Sequence, residues 1–177
     1  MSFESELQSK LQKIKLFITD IDGVLTDGRI IFGNYGDELK FFDVHDGFGL
    51  VMLRRMGFKT IIITAKKSRI NVKRAKEVQA VKLYQNAKDK LKVFEKVLKQ
   101  FRVEPQEVCF IGDDLMDIPV LKRVGFAVAV QNAVQEVKGL AHYVTQKNGG
   151  RGAVREVVDM ILRAQDKWAE ATVNYFR

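Results

Sequence analysis

Asp20-Ile21-Asp22-Gly23 places two carboxylates two residues apart, directly after the apolar run Leu16-Phe17-Ile18. That run is short, bounded and rich in strand formers, so it reads as a buried strand. Acids ending a buried strand are costly to desolvate unless they face solvent, a metal or a substrate. Three further runs lead into polar residues of complementary kinds. Thr60-Ile61-Ile62-Ile63 ends in Thr64, and the run to Tyr84 is followed after a short loop by Lys90, with Lys88 nearby. Val108 to Ile111 leads into Gly112-Asp113-Asp114, with Asp117 further on. A parallel sheet would bring these ends to one edge, where open α/β folds bind ligands.

Phosphoryl transfer needs these parts, because its transition state spreads negative charge over the phosphoryl oxygens. Asp20 and Asp113 would bind Mg²⁺, a hard cation that prefers oxygen ligands. Shielded by the metal, Asp20 would attack phosphorus and split one hard hydrolysis into two easier steps. Asp22 would protonate the leaving oxygen and then activate water. Thr64 would bond a phosphoryl oxygen, and Lys90 would offset its charge. Each piece alone is weak: paired acids often mark a turn, and a lysine opening a helix is usually solvated. Their order, each after its own strand, is what carries the argument.

The elements that must position them alternate along the chain. Strands are expected at 16–19, 60–64, 81–84, 108–111, 126–130 and 142–145. Helices are expected at 48–56, 68–78, 89–100, 118–123, 134–139 and 153 to about 170. The helix from Asp89 carries apolar residues at 91, 94, 97, 98 and 101, a helical stripe. Such alternation means a parallel sheet covered on both faces. One segment breaks it. Residues 29–44, with Gly33-Asn34-Tyr35-Gly36 in the middle, read as a β-hairpin placed as a flap over the site. An edge extension of the main sheet is the plainer alternative, and an exposed hairpin edge also invites pairing with another subunit.

Bulk properties set the frame. The 177 residues are 46% hydrophobic and 29% charged, so one domain with a full core, 1–177, is expected. The single cysteine, Cys109, excludes an internal disulfide and sits in an apolar run, as a small core residue would. A reducing, cytoplasmic setting fits that usage. No apolar segment is long enough to span a bilayer, and the polar stretch Met1–Lys15 lacks signal-peptide patterning. The net charge of +8 raises nucleic acid as a partner. Yet the basic residues are dispersed, and the densest group, Lys66, Lys67, Arg69, Lys73, Arg74 and Lys76, reads as a solvated helix face. No aromatic-interleaved basic stripe accompanies it, so no nucleic-acid partner and no membrane are expected. A field that attracts a small anionic substrate is the remaining reading of the charge.

On these residues the chain resembles the haloacid dehalogenase superfamily of phosphatases. Asp20-Ile21-Asp22-Gly23-Val24-Leu25-Thr26-Asp27-Gly28 is similar to its first motif, Thr64 to the second, Lys90 to the third and Gly112-Asp113-Asp114-Leu115-Met116-Asp117 to the fourth. The resemblance implies a Rossmann-like three-layer α/β sandwich and an aspartyl-phosphate at Asp20. It also implies Mg²⁺ held by Asp20, the Asp22 backbone carbonyl and Asp113, with Asp114 and Asp117 close to the metal. The hairpin, Phe42-Asp43-Val44-His45-Asp46-Gly47-Phe48-Gly49 and Gly149-Gly150-Arg151-Gly152-Ala153-Val154-Arg155-Glu156 are similar to the narrower family of 3-deoxy-D-manno-octulosonate 8-phosphate phosphatases. That likeness implies a sugar-acid phosphate substrate on the route to lipopolysaccharide, touched by Asp22, His45, Thr64, Ala65, Lys66 and Lys90. It further implies a homotetramer in which hairpins associate and one subunit's tail, about 166–177, covers a neighbour's site. His45 stands where members often have Arg, and Lys66 replaces an Arg, keeping the charge without the bidentate fork.

Spacing supports an open site independently. Neither the stretch from Asp22 to Thr64 nor that from Thr64 to Lys90 holds a cap domain of roughly 50 residues or more. The alternatives are a nine-carbon ulosonate 9-phosphate as substrate, or a non-catalytic oligomerisation module of the same fold. Retention of Asp20, Asp22 and Lys90 argues against the module.

Overall fold

The computed structural model describes residues 3–176, so Met1, Ser2 and the last tail residue, Arg177, lie outside the described residues. Helix α1 (Phe3–Gln12) leads into strand β1 (Leu16–Thr19), all four residues of which are buried. A two-stranded antiparallel hairpin follows, β2 (Ile31–Phe32) and β3 (Glu38–Leu39). Then come α2 (Val44–Arg55), β4 (Lys59–Ile63), α3 (Arg69–Glu77), β5 (Lys82–Tyr84) and α4 (Lys90–Phe101). The second half runs β6 (Val108–Gly112), α5 (Ile118–Leu121), β7 (Phe126–Ala129), α6 (Gln135–Lys138), β8 (Tyr143–Val144), α7 (Ala153–Ala164) and α8 (Trp168–Thr172).

Six strands form one parallel sheet in the order β5-β4-β1-β6-β7-β8. The most apolar strands lie at its centre. Phe17, Ile18, Ile61, Ile62, Phe110 and Ile111 have no exposed surface, and β-branched and aromatic side chains suit a sheet buried on both faces. Helix α2 packs chiefly on α7, which also carries α1 and α8, whereas α4 packs on α5. Right-handed crossovers put these two groups on opposite faces, giving a Rossmann-like sandwich of three layers. Cys109 is buried in β6, as a core residue.

The order places β1 between β4 and β6, with Ile18 opposite both Ile61 and Phe110. The chain leaves β1 toward one side and later returns to its other side. That is a topological switch point, where a crevice opens beyond the carboxyl ends of the strands. Asp20 stands in it.

Several boundaries differ from the sequence reading, each for a local reason. The hairpin is its own small sheet and not an extension of the main one, and it is shorter than 29–44. Helix α2 begins at Val44, inside the expected hairpin, because the Asp43 carboxylate accepts the His45 N–H at 2.6 Å and caps it. The last helix stops at Ala164: Asp166 takes a left-handed φ of 57°, and the chain restarts as α8. Helix α1 was not expected, since its apolar face is short; Leu11 is nonetheless buried and Gln165 donates to the Leu11 and Ile14 carbonyls. Arg74 is not part of a solvated face. It is buried, donates to the Asp43 carbonyl at 2.8 Å and lies 4.9 Å from the centre of the Phe42 ring.

Candidate active site

The ends of β1, β4 and β6 and the first turn of α4 frame a cleft of about 230 Å³. It is lined by Asp20, Asp22, Thr64, Ala65, Lys66, Lys90, Asp113 and Asp114, together with Gly28, Ile30 and Met116. The floor is Asp20. Its Oδ1 accepts the Ile21 N–H at 2.6 Å, and its Oδ2 accepts Lys90 Nζ at 2.5 Å. Lys90 opens α4, where the helix dipole disfavours a cation. Two acids offset that cost, since its Nζ also donates to Asp117 Oδ1 at 2.6 Å. Desolvation opposes the charge of this buried ammonium, but Asp20 and Asp117 outweigh it and raise its pKa.

Asp117 is fully buried beneath the cleft and has both oxygens engaged. Its Oδ2 accepts the N–H groups of Asp113 and Asp114 at 2.9 and 3.3 Å. It therefore shapes the Gly112–Asp117 turn and fixes Lys90. Asp114 caps the turn through its own side chain, which accepts the Leu115 N–H at 2.7 Å. Thr64 is buried at the end of β4, and its hydroxyl accepts the Lys66 N–H at 3.3 Å.

Gly23 has a φ of 89°, and a Cβ there would lie 1.9 Å from Asp113 Oδ2. Only glycine lets the first acidic loop carry the Asp113 carboxylate against its backbone. That loop is braced from behind by the turn before α7. Gly150 N–H donates to the Val24 carbonyl at 2.8 Å, and a Cβ on Gly149 would lie 1.7 Å from the Gly23 carbonyl oxygen. Asp46 of α2 locks the turn in place: its carboxylate accepts the N–H groups of Gly152 and Arg155 at 3.2 and 2.8 Å. Burial pushes the Asp46 pKa up to about 6, against those two bonds.

Acidic oxygens of Asp20, Asp113 and Asp117 lie within 4.8 Å of one another. Burial raises the Asp20 pKa to about 6 even beside Lys90, and burial with Asp117 and Asp20 nearby raises Asp113 to about 8. Asp113 Oδ1 is buried without a hydrogen-bond partner. An excess of negative charge, an oxygen-only donor set and an unsatisfied carboxylate oxygen together fit a hard divalent cation held by Asp20 and Asp113. Asp117, fully buried with both oxygens hydrogen-bonded to the chain, belongs to the support of that site.

Other expected contacts are placed elsewhere. His45 is exposed in the first turn of α2 beside Asp43, its Nδ1 3.2 Å from the Asp43 carboxylate. It lines a separate cleft of about 320 Å³ with Asp27, Phe42, Gly150 and Arg151, so within one chain it does not meet Asp20. Lys66 lies at the mouth of the site, 2.6 Å from Glu38 Oε1 and 5.5 Å from the centre of the Phe32 ring, both on the hairpin. The described tail packs on its own chain: Tyr175 accepts from Arg55 at 2.7 Å and meets Phe48 edge-on at 5.4 Å.

Lys40 was missed. Its side chain is 2% exposed, and its Nζ donates to Asp22 Oδ1. The alternation Glu38-Leu39-Lys40-Phe41 carried a signal, with charges on one hairpin face and apolar groups on the other.

Comparison with known proteins gives a consistent set of matches. The model of the haloacid dehalogenase-like hydrolases matches residues 58–157. The chain is 46% identical over 159 residues to 3-deoxy-D-manno-octulosonate 8-phosphate phosphatase from Yersinia pestis, covering 90% of this chain and 85% of that protein. The crystal structure of the Yersinia pestis enzyme superposes with a TM-score of 0.91 at 44% identity, over 92% of this chain and 88% of the other. The enzyme of the same name from Moraxella catarrhalis, crystallised with magnesium, phosphate and the sugar acid KDO, superposes with a TM-score of 0.94 at 38% identity. That match covers 98% of this chain and 99% of the other.

Proposed function

The chain belongs to the haloacid dehalogenase-like hydrolases, and on that premise we propose that this phosphatase hydrolyses 3-deoxy-D-manno-octulosonate 8-phosphate through a phosphorylated Asp20. The products are the eight-carbon sugar acid and inorganic phosphate, and the setting is cytoplasmic synthesis of a lipopolysaccharide precursor. The substrate rests on the likeness to phosphatases of that name. The chemistry rests on one observation: Asp20 stands at the switch point with Lys90 on one carboxylate oxygen, Thr64 beside it and an unsatisfied Asp113 oxygen opposite.

Magnesium is the cofactor, and Asp20, Asp113 and the Asp22 backbone carbonyl would hold it. Bound there, it supplies positive charge that offsets the acids and the phosphoryl group. The chain's own groups do the rest. Lys90 keeps the Asp20 carboxylate turned toward the crevice and, with the Thr64 hydroxyl, stabilises charge on the phosphoryl oxygens. An Asp20 oxygen attacks phosphorus, the bond to the sugar oxygen breaks, and Asp22 gives that oxygen its proton. Asp22, now a carboxylate, takes a proton from water as the water attacks the phosphorylated Asp20, which is released unchanged.

The hairpin turns apolar groups outward: Leu39 and Phe41 are 51% and 64% exposed. Such a face suits association with further copies, and we read the assembly as a homotetramer in which neighbours supply what the single chain lacks over the cleft. Phosphate release from a panel of eight-carbon and nine-carbon ulosonate phosphates, with Mg²⁺ present, tests the substrate. The eight-carbon 8-phosphate is expected to give the highest kcat/KM. A higher value for a nine-carbon 9-phosphate would overturn the substrate, and acid-quenched protein without phosphate on Asp20 would overturn the intermediate.

A further inference from the structure

We propose that Lys40 is the positioning residue for Asp22, and that the Glu38 bridge between Lys40 and Lys66 makes hairpin docking and assembly of the catalytic cleft a single event. The proposal rests on the acid–base role of Asp22 given above.

The hairpin carries its charges and its apolar groups on opposite faces. The pairs Ile31 with Leu39 and Phe32 with Glu38 fix the register, so Glu38 and Lys40 share one face and Leu39 lies on the other. In an ordinary two-faced hairpin the charged face is the solvated one. Here it faces the protein. The Lys40 side chain is 2% exposed although it leaves a two-residue strand on a largely exposed hairpin. An ammonium is held out of water only where acids meet it. Two do: Lys40 Nζ donates to Asp22 Oδ1 and lies 3.9 Å from Glu38 Oε1. The same Glu38 oxygen is 2.6 Å from Lys66 Nζ, on the loop after Thr64. A chain of four charges thus runs from the first acidic loop, across the hairpin, to the end of β4.

Asp22 draws its support from the hairpin. The Asp20 carboxylate is fixed by the Ile21 N–H and Lys90, and Asp117 by Lys90 and two N–H groups. Among the described residues, the Asp22 carboxylate accepts its hydrogen bond from Lys40 Nζ. A general acid–base must sit within hydrogen-bond reach of the atom it serves. The residue that aims Asp22 therefore comes from the hairpin, and a hairpin lifted from the cleft leaves Asp22 unaimed.

The experiment compares Lys40→Met, Lys40→Arg, Glu38→Gln and Asp22→Asn, and the double variant Lys40→Met/Asp22→Asn, in the full-length protein with Mg²⁺ and the eight-carbon sugar-acid phosphate. Lys40→Met is expected to lower kcat by about 100-fold with KM within about threefold, since misaligning a catalytic group costs rate more than binding. Lys40→Arg is expected to recover much of that loss, and Glu38→Gln to show a smaller loss of the same kind. In the Asp22→Asn background, loss of Lys40 is expected to cost little more, because a residue that acts only through Asp22 has nothing left to aim. A loss confined to KM would make Lys40 a substrate contact and overturn the proposal. Multiplying losses in the double variant, or wild-type kcat in Lys40→Met, would overturn it too. Thermal melting of each variant separates misfolding from misaiming: a Lys40→Arg variant that melts like wild type yet stays as slow as Lys40→Met also refutes it. Absence of turnover in the wild type would sink the acid–base reading and this proposal together, whereas the other failures leave that reading intact.

Discussion

The floor of the cleft and its rim obey opposite rules. The floor is made by buried strands, and its acids are fixed by short hydrogen bonds within a dense core. Asp20 is 7% exposed, Asp117 is fully buried, and Lys90 ties them together. The rim is a hairpin of two residues per strand, joined to the floor by ion pairs and otherwise exposed, with Phe32 at 74% and Tyr35 at 99%. Chemistry that must not vary sits where packing leaves no freedom. Recognition sits where few contacts hold the chain and a neighbour can finish the surface.

Changes to the floor are expected to be the most damaging. Asp20→Asn removes the nucleophile while keeping the shape. It should lower kcat by about 10⁴-fold or more, measured as phosphate release, with no phosphorylated protein after acid quenching. Residual turnover near wild type would erase the proposed distinction between floor and rim.

Removing the metal is expected to act almost as strongly. Chelation should stop turnover, and added Mg²⁺ should restore it. Without metal, Asp113 holds a proton up to a pH of about 8, so binding must release it. Apparent Mg²⁺ affinity should therefore rise by up to about tenfold per unit between pH 6 and 8, more steeply below pH 6, where Asp20 also holds a proton, and flatten above pH 8. Calorimetry in buffers of different ionisation heat would count the proton, and Asp113→Asn should remove both the proton and most of the affinity.

Asp46 probes the brace behind the floor. Its folded pKa of about 6 lies above the usual carboxylate value, so folding favours its protonated form. The stability this confers is complete below pH 4 and is lost as pH rises through 6. The loss amounts to at most about 3 kcal/mol. Asp46→Asn cannot ionise, so its stability should fall less between pH 4 and pH 6.5 than that of the wild type. Equal slopes in denaturant titrations would show that Asp46 does not titrate in the folded protein.

The outward apolar face of the rim is expected to respond most mildly and in a different observable. Leu39→Ser with Phe41→Ser should leave the melting temperature close to wild type but weaken association by about tenfold or more, because buried interface anchors carry most of the binding energy. Molar mass on dilution would measure it. A monodisperse tetramer in both proteins would mean that the outer hairpin face is not the contact.

How much of this was legible in the residues follows the same division. Asp20, Thr64 and Asp113 each follow an apolar run whose length and composition demand a buried strand, and Lys90 follows the half-exposed edge strand β5, so their common edge could be argued without coordinates. Asp117 was legible as part of the fourth motif, but not as the anchor of Lys90. Glu38 lies on β3 and Lys40 just after it; their alternation with Leu39 and Phe41 marked a two-faced segment, but their partners Asp22 and Lys66 lie on other loops, which no local pattern names. His45 was expected among the substrate contacts, and the Asp43 cap sets it in the first turn of α2, lining a cleft separate from that of Asp20.

The amino-acid sequence by itself determined the fold class, the four acidic, hydroxyl and amino groups of the floor, and the lack of a cap between them. Local composition dictates strands, helices and their alternation, and parallel alternation dictates a common edge. Only the tertiary structure decided that β1 lies between β4 and β6, that Asp46 braces the acidic loop through the start of α7, and that the hairpin turns its charges inward to Asp22. These depend on which buried surfaces meet and on where an ammonium finds two acids, and neither is a property of any single stretch of chain.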